Sequence, residues 1–407
     1  MSQDTKPVLP NGRFSDIDFI RGFMLLSMAV DHGTSLTRAM GRHAASPVTI
    51  SQILPSTTIE IFFFLSGYLY GHTKIANKKN EYIGFVRDAY LRAFQLYAFN
   101  VLTFMLVLLM FPLFSFELLA ASRFDSVSND SISAIRHFMF LESAPFGLDV
   151  LQIYIIYFVF APVFSVILLR NKFLAIAWLL GSWLAMQIWS AAVGLQHDET
   201  IAINMIAWQI TFFGGIALGA HRAWGKITAY ITKTRALTRT CGMLLLVMAI
   251  AWIGQKYPHR YGFTEAPWSL PMVDRATLAP LKLLSSICVL VVMISMTYHY
   301  RLTETLFGRF ILILGQRSLA CFCASNIGIY IVAITWEESG SNLVFWLAEL
   351  GMVIGVMIWI AFVDWISPSK KAPRSETDHA VKVLPPVGKE NNMIFNLTRD
   401  VPVPNHP

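Results

Sequence analysis

Runs of about twenty apolar residues recur along this chain, and no other sequence feature limits its fold so strongly. A run of that length crosses the hydrocarbon of a bilayer as one helix. Ten such spans are predicted, at residues 16–36, 53–73, 92–114, 148–169, 173–193, 203–221, 240–255, 279–298, 309–334 and 342–366. The expected fold is therefore an all-α polytopic membrane protein, with about ten transmembrane helices in one bundle. Composition agrees: 55% of residues are hydrophobic, 14% are charged, and the mean hydropathy is +0.54. Residues 1–15 read as a short N-terminal segment and 16–366 as the membrane domain. Residues 367–407 are polar and proline-bearing with no periodic apolar face, the composition of a disordered tail. Residues 1–13 are too polar for a signal peptide's apolar core, so the first helix is expected to act as the signal.

The net charge of +7 does not point to nucleic acid, because the basic residues cluster in short connections as orientation signals do. Lys74, Lys78, Lys79 and Arg87 lie between spans two and three. Arg222, Lys226, Lys233, Arg235 and Arg239 lie between six and seven, and Lys370, Lys371 and Arg374 follow the last span. An even number of spans puts these groups and both termini on one face, the cytoplasmic one. The connections with His197-Asp198-Glu199 and Glu337-Glu338 lack Lys and Arg and fall on the other face. The connection with Lys256, Arg260 and Arg275 departs from the pattern, and part of it is expected to fold back into the membrane. The four cysteines, Cys241, Cys288, Cys321 and Cys323, sit in or beside apolar segments without metal-ligand spacing. Neither a disulfide framework nor a metal site is expected.

The first span is unusual. Asp18-Phe19-Ile20-Arg21-Gly22 opens it, an uncharged run follows, and Asp31-His32 comes near its end. Ionisable residues in a span cost about 2.5–3.5 kcal/mol each at mid-bilayer and call for a pocket or partner. Arg21 and His32 are close to three helical turns apart and share a face, whereas Asp31 points away from it. His32 has the right chemistry for a general base, since neutral imidazole takes a proton from a hydroxyl near neutral pH. A histidine bridging two helices is the other reading of the same residue. Asp31 is expected to pair with another helix or to line an acceptor entry. Glu60 opens the second span and either orients His32, binds substrate or is an ordinary interfacial carboxylate.

The blocks Asp18–Gly22 with His32, Glu60-Ile61-Phe62-Phe63-Phe64-Leu65-Ser66-Gly67-Tyr68, and Phe85-Val86-Arg87 with Leu91-Arg92 together resemble the membrane acyltransferase-three superfamily. Leu148–Tyr154, Ala207-Trp208-Gln209 and Leu314–Leu319 narrow the resemblance to its OpgC branch, which succinylates osmoregulated periplasmic glucans. The resemblance runs from about residue 14 to 366. It implies an enzyme of the bacterial inner membrane that moves a succinyl group from succinyl-CoA to glucan hydroxyls. The acyl-CoA is then a co-substrate, with no tightly bound cofactor.

On that reading His32 is the base, with Asp31 and Glu60 as its candidate catalytic neighbours. Arg21, Arg92, Arg317 and Arg87 are candidates for the coenzyme A phosphates, which the planar guanidinium fork suits. Asp149, Tyr154, Trp208 and Gln209 are candidates for the acceptor. Residues 115–147, a long connection on the outer face, are expected to form one wall of its site. The expected partners are the donor, the glucan and the lipid bilayer. Two other readings stay open: transfer of an acetyl or other acyl group to a different envelope polysaccharide or lipid-linked sugar, and proton-coupled transport using Asp31, His32 and Glu60. Transporters often carry paired half-repeats, and no such internal symmetry is visible.

Overall fold

Helices account for nearly all of a computed structural model of the chain, which describes residues 14–41, 49–55, 58–76, 82–193, 201–256 and 278–366. Sixteen α-helices follow one another. They are α1 (Ser15–Ala39), α2 (Ile50–Ile53), α3 (Thr58–Tyr70), α4 (Tyr82–Leu109), α5 (Phe116–Ser122), α6 (Asp125–Asn129), α7 (Ser131–Met139) and α8 (Asp149–Arg170). Then come α9 (Lys172–Val193), α10 (Ile201–Ala220), α11 (Trp224–Lys233), α12 (Arg235–Lys256), α13 (Pro280–His299), α14 (Leu306–Gln316), α15 (Ser318–Ser339) and α16 (Asn342–Ile366). No strand occurs among the described residues. The chain divides after residue 368, and every described residue belongs to the first unit. The sequence readings for the 367–407 tail, Lys78 and Lys79, His197-Asp198-Glu199, and Arg260 and Arg275 fall outside the described residues.

Seven helices are long and apolar enough to cross a membrane: Tyr82–Leu109, Asp149–Arg170, Lys172–Ala192, Arg235–Gln255, Pro280–His299, Ser318–Ser339 and Asn342–Val363. This is a membrane protein, with fewer spans of that kind than the ten expected. The physical reasons differ. Helix α1 carries Asp16, Asp18, Arg21, Asp31 and Arg38 among its 25 residues. Helix α3 has only 13 residues before a five-residue π-helix, Gly71–Ile75, continues it. The apolar part of α10 is the shorter Met205–Ala220. The expected single span at 309–334 is two helices, broken at Arg317. Span three starts earlier than expected, so Arg87 lies on a helix rather than in a connection.

Glycine decides which helices meet most closely. Gly67 and Gly71 face Gly215 and Gly219 across the α3–α10 contact. A methyl group on any of the four would overlap a backbone carbonyl of the opposite helix. Such small-residue pairs let two backbones approach in lipid, where no hydrophobic drive holds helices together. Helices α1 and α14 meet likewise: a methyl on Gly22 would overlap the Ile311 carbonyl, and one on Gly315 the Asp18 carbonyl. That contact locks the charged start of α1 against the break at Arg317. Helix α1 also packs on α3 and α15, α4 packs on α8 and α15, and α16 covers α15. Large apolar side chains such as Phe94, Leu109, Ile188, Leu246 and Ile358 face outward, a surface suited to lipid tails.

Residues 115–147 fold into α5, α6 and α7, a cap over one end of the bundle. Phe104 of α4 stacks on Phe138 and Phe124, and Tyr330 of α15 meets Phe114 and Phe124. Gln152 fastens the cap to α8, its Nε2 donating to the Ser143 carbonyl at 2.8 Å. Tyr330 donates to the Phe146 carbonyl at 2.9 Å, and the Phe146 amide to the Ser122 carbonyl at 3.0 Å. The cap thus holds a fixed position over α1.

Candidate active site

Two polar cavities lie at opposite ends of α1. The one under the cap, called outer after the face expected for residues 115–147, has a volume of about 210 Å³ and is lined by Asp31, His32, Thr58, Arg123, Gly147 and Asp149, among others. His32 is half-buried there, edge-on to the Phe146 ring at 5.4 Å between centroids. Gly147 follows Phe146 with φ +84, the left-handed region that glycine enters without steric cost. Its turn brings backbone rather than a side chain against His32. Asp31 accepts hydrogen bonds from Thr49 Oγ1 at 2.8 Å and from the Ser51 hydroxyl. Trp252 Nε1 in turn donates to the Ser51 carbonyl at 3.2 Å, tying this corner to α12. Asp149 begins α8, and one of its oxygens accepts the Val150 amide at 2.9 Å. An imidazole, two carboxylates and a guanidinium around a pocket of this size suit an uncharged ligand rich in hydroxyl groups.

The inner cavity, about 370 Å³, is lined by Arg21, Lys74, Asp88, Arg92, Gln95 and Tyr154, with apolar walls from Leu69, Leu91 and Phe158. Arg21 is buried. It donates to Ser318 Oγ at 2.6 Å, lies 3.9 Å from Asp18, and has its guanidinium 5.5 Å from the Phe62 ring centroid. The hydrogen bond crosses from α1 to the first residue after the Arg317 break, so the break and the buried arginine are one construction. Lys74 pairs with Asp88 at 3.0 Å, and Arg92 donates to Gln95 Oε1 at 3.2 Å. Three cations and one carboxylate line the cavity, and with Asp18 beside Arg21 the balance stays positive by one charge, which favours an anion. Arg317 stands beside Ser318 but lines neither cavity. Arg87 is exposed, 3.9 Å from Asp88, and also outside both.

Arg21 and His32 are separated by eleven residues, about 16 Å along the helix at 1.5 Å per residue. A narrow apolar gap of about 20 Å³ adjoins the inner cavity, sharing Arg92 and Tyr154 with it. Arg92, Tyr154 and Ser318 line it together with Val150 and Leu151, the two residues that follow Asp149.

The structure does not bring all the candidate residues together. His32, Asp31 and Asp149 share the outer cavity; Arg21 and Arg92 share the inner one, and Tyr154 is with them rather than with Asp149. Glu60 does not line the outer cavity and forms a buried ion pair with Lys282 of α13, at 3.5 Å. Trp208 packs edge-on to Phe63 in the aromatic core, and Gln209 is engaged by Trp178 at 3.1 Å and Ser182 at 2.6 Å. Both lie outside the two cavities. Four further polar residues matter that sequence reasoning did not single out: Arg123, Lys282, Asn326 and Glu349. Lys282 and Glu349 each stood in an apolar run, which is the usual signal for a functional ionisable group. Glu349 is buried against Gly33, the residue after His32, and neither carboxylate oxygen has a hydrogen-bond partner among the described residues. No cluster among the described residues could hold a metal ion.

A protein-family model described as OpgC protein matches residues 13–371 of the chain. The match takes in all of the helices that build both cavities. No curated protein and no solved structure matches the chain.

Proposed function

Because the chain belongs to the OpgC family, whose role is in periplasmic glucan modification, we propose that it is an inner-membrane O-acyltransferase using succinyl-CoA. The observation that carries this reading is the pairing of a cation-rich cavity with a histidine-bearing one along a single helix. Coenzyme A phosphates sit against Arg21, Arg92 and Lys74 from the cytoplasmic face. The pantetheine arm enters the narrow gap, bringing the thioester toward His32. The glucan approaches from the periplasmic face, its hydroxyls held by Asp31 and Asp149.

The chemistry is then a balanced transfer. His32 takes the proton of a glucan hydroxyl as its oxygen attacks the thioester carbonyl carbon. The carbonyl electrons move onto oxygen and return as the C–S bond breaks. His32 hands its proton to the departing thiolate, leaving a succinyl ester and free coenzyme A. No proton is gained or lost overall, so the base is ready for the next cycle. In this arrangement Glu60 and Lys282 hold α3 against α13, and Trp208 and Gln209 stiffen the α9–α10 wall. Tyr154 serves the donor side.

The test is the mass of periplasmic glucan from cells with and without this chain. Glucan carrying succinyl increments only when the chain is present is the expected result. Acetyl increments would reassign the acyl group, and identical glucan in both strains would remove the acyltransferase reading.

A further inference from the structure

Three buried carboxamides cluster about the narrow gap, two of them one helical turn beyond residues that line it. Leu96 of α4 and Phe322 of α15 line the gap, and Asn100 and Asn326 come one helical turn after them. Gln152 adjoins Leu151, which lines it too. All three amides are buried, with exposures of 0% for Asn100 and Gln152 and 1% for Asn326. Gln152 Oε1, both amide atoms of Asn100 and Nδ2 of Asn326 have no hydrogen-bond partner among the described residues. Buried donors and acceptors are nearly always paired, and leaving several unpaired is costly unless a ligand satisfies them in the working state.

Asn326 is the member nearest the chemistry. A Cβ on Gly147 would lie 2.5 Å from Asn326 Oδ1 and 3.6 Å from His32 Nδ1, so both side chains flank the same glycine. The amide end turned away from Gly147 is the unpaired Nδ2 donor. We propose that Asn326 Nδ2 donates to the thioester carbonyl oxygen and holds the negative charge that develops there as the acceptor attacks. This rests on the acyl-transfer reading and adds to it the group that stabilises the oxyanion. When the acceptor oxygen bonds to the carbonyl carbon, the displaced electron pair settles on the carbonyl oxygen beside Nδ2. The hydroxyl proton goes to His32, and the pair returns when sulfur leaves. A fixed donor aimed at such an oxygen typically accounts for about 10²–10³ in rate.

The test compares wild type, Asn326→Leu and Asn326→Ala as full-length chains, using succinyl-CoA and glucan oligosaccharide. Leucine matches the shape of asparagine and removes an unpaired buried donor, a change that leaves stability unaltered or improves it. Expected is a fall in kcat of about 10²–10³-fold, with the donor KM and the melting temperature unchanged. Binding of an unreactive thioether analogue, which lacks the carbonyl, should also be unchanged. Alanine, which cannot overfill the site, decides the matter should leucine disturb folding. Near-normal kcat in a folded variant overturns the inference, as does a loss of activity in both variants that tracks a lower melting temperature. Inert wild type would remove the acyl-transfer reading itself, and this inference with it; active wild type with an active Asn326 variant removes this inference alone.

Discussion

Replacing His32 with alanine is expected to lower the rate of acyl transfer by at least about a hundredfold, since positioned base catalysis is typically worth about 10²–10⁴. The fold should survive the change. His32 is only half-buried, borders a cavity, and faces Phe146 edge-on rather than filling a packed core. What disappears is the acceptor for the hydroxyl proton. Without it the attacking oxygen must shed its proton to Asp31, Asp149 or water. Neither carboxylate is a good substitute, because Asp31 is already bonded by Thr49 and Ser51, and Asp149 by the Val150 amide. The donor KM should stay close to wild type, because the cations that meet coenzyme A lie about 16 Å away along α1. Transfer measured in the purified, folded variant checks this, and a near-normal rate would remove His32 as the base.

The second large effect is expected at the inner cavity. Arg92→Ala should raise the apparent donor KM by about one to two decades. A hydrogen bond to a charged group contributes roughly 1.5–3 kcal/mol, and each 1.4 kcal/mol is a factor of ten. Phosphate contacts are made in the ground state as well as the transition state, so kcat should fall less. Arg92→Lys should recover only part of the loss, because a point charge lacks the bidentate fork. Arg21→Ala is a less clean probe, since it also breaks the bond to Ser318 that joins α1 to the α14–α15 break. Arg87→Ala is the internal control: its exposed side chain lines neither cavity, and it should leave donor KM nearly unchanged. Initial rates against succinyl-CoA concentration separate these cases. A raised acceptor KM with an unmoved donor KM in Arg92→Ala would put the arginines on the wrong side of the reaction.

The helices were legible because their apolar runs have the length of a span, and the spacing of Arg21 and His32 put them on one helix face. Their separation into two cavities also follows from that spacing. Other features were not legible, for reasons that can be named. Apolar residues crowd both sides of Gln316-Arg317-Ser318, so the run at 309–334 reads as one span despite that short polar interruption. The break at Arg317 comes from tertiary packing, with Gly315 held on the Asp18 carbonyl and Ser318 bonded to Arg21. Arg123 reaches the outer cavity through a left-handed residue that ends α5, and no periodicity marks such a turn. Glu60 reads as a mouth residue until Lys282, far along the chain, is seen beside it. Trp208 and Gln209 have residue types that suit a sugar, yet in the structure they pack the wall between α3 and α9. Side-chain type announces chemistry; only the fold says which atoms it faces.

The proposed function requires one chain to pass an acyl group from a donor on one side of the membrane to an acceptor on the other. Purified protein in sealed proteoliposomes tests it, with succinyl-CoA confined to the face bearing Lys74 and Lys233 and glucan oligosaccharide confined to the opposite face. The account predicts succinylated glucan in the acceptor compartment and free coenzyme A in the donor compartment, in equal amounts, with wild type but not His32→Ala. Uptake of either substrate without covalent product, or equal product formation with the two compartments reversed, would contradict it.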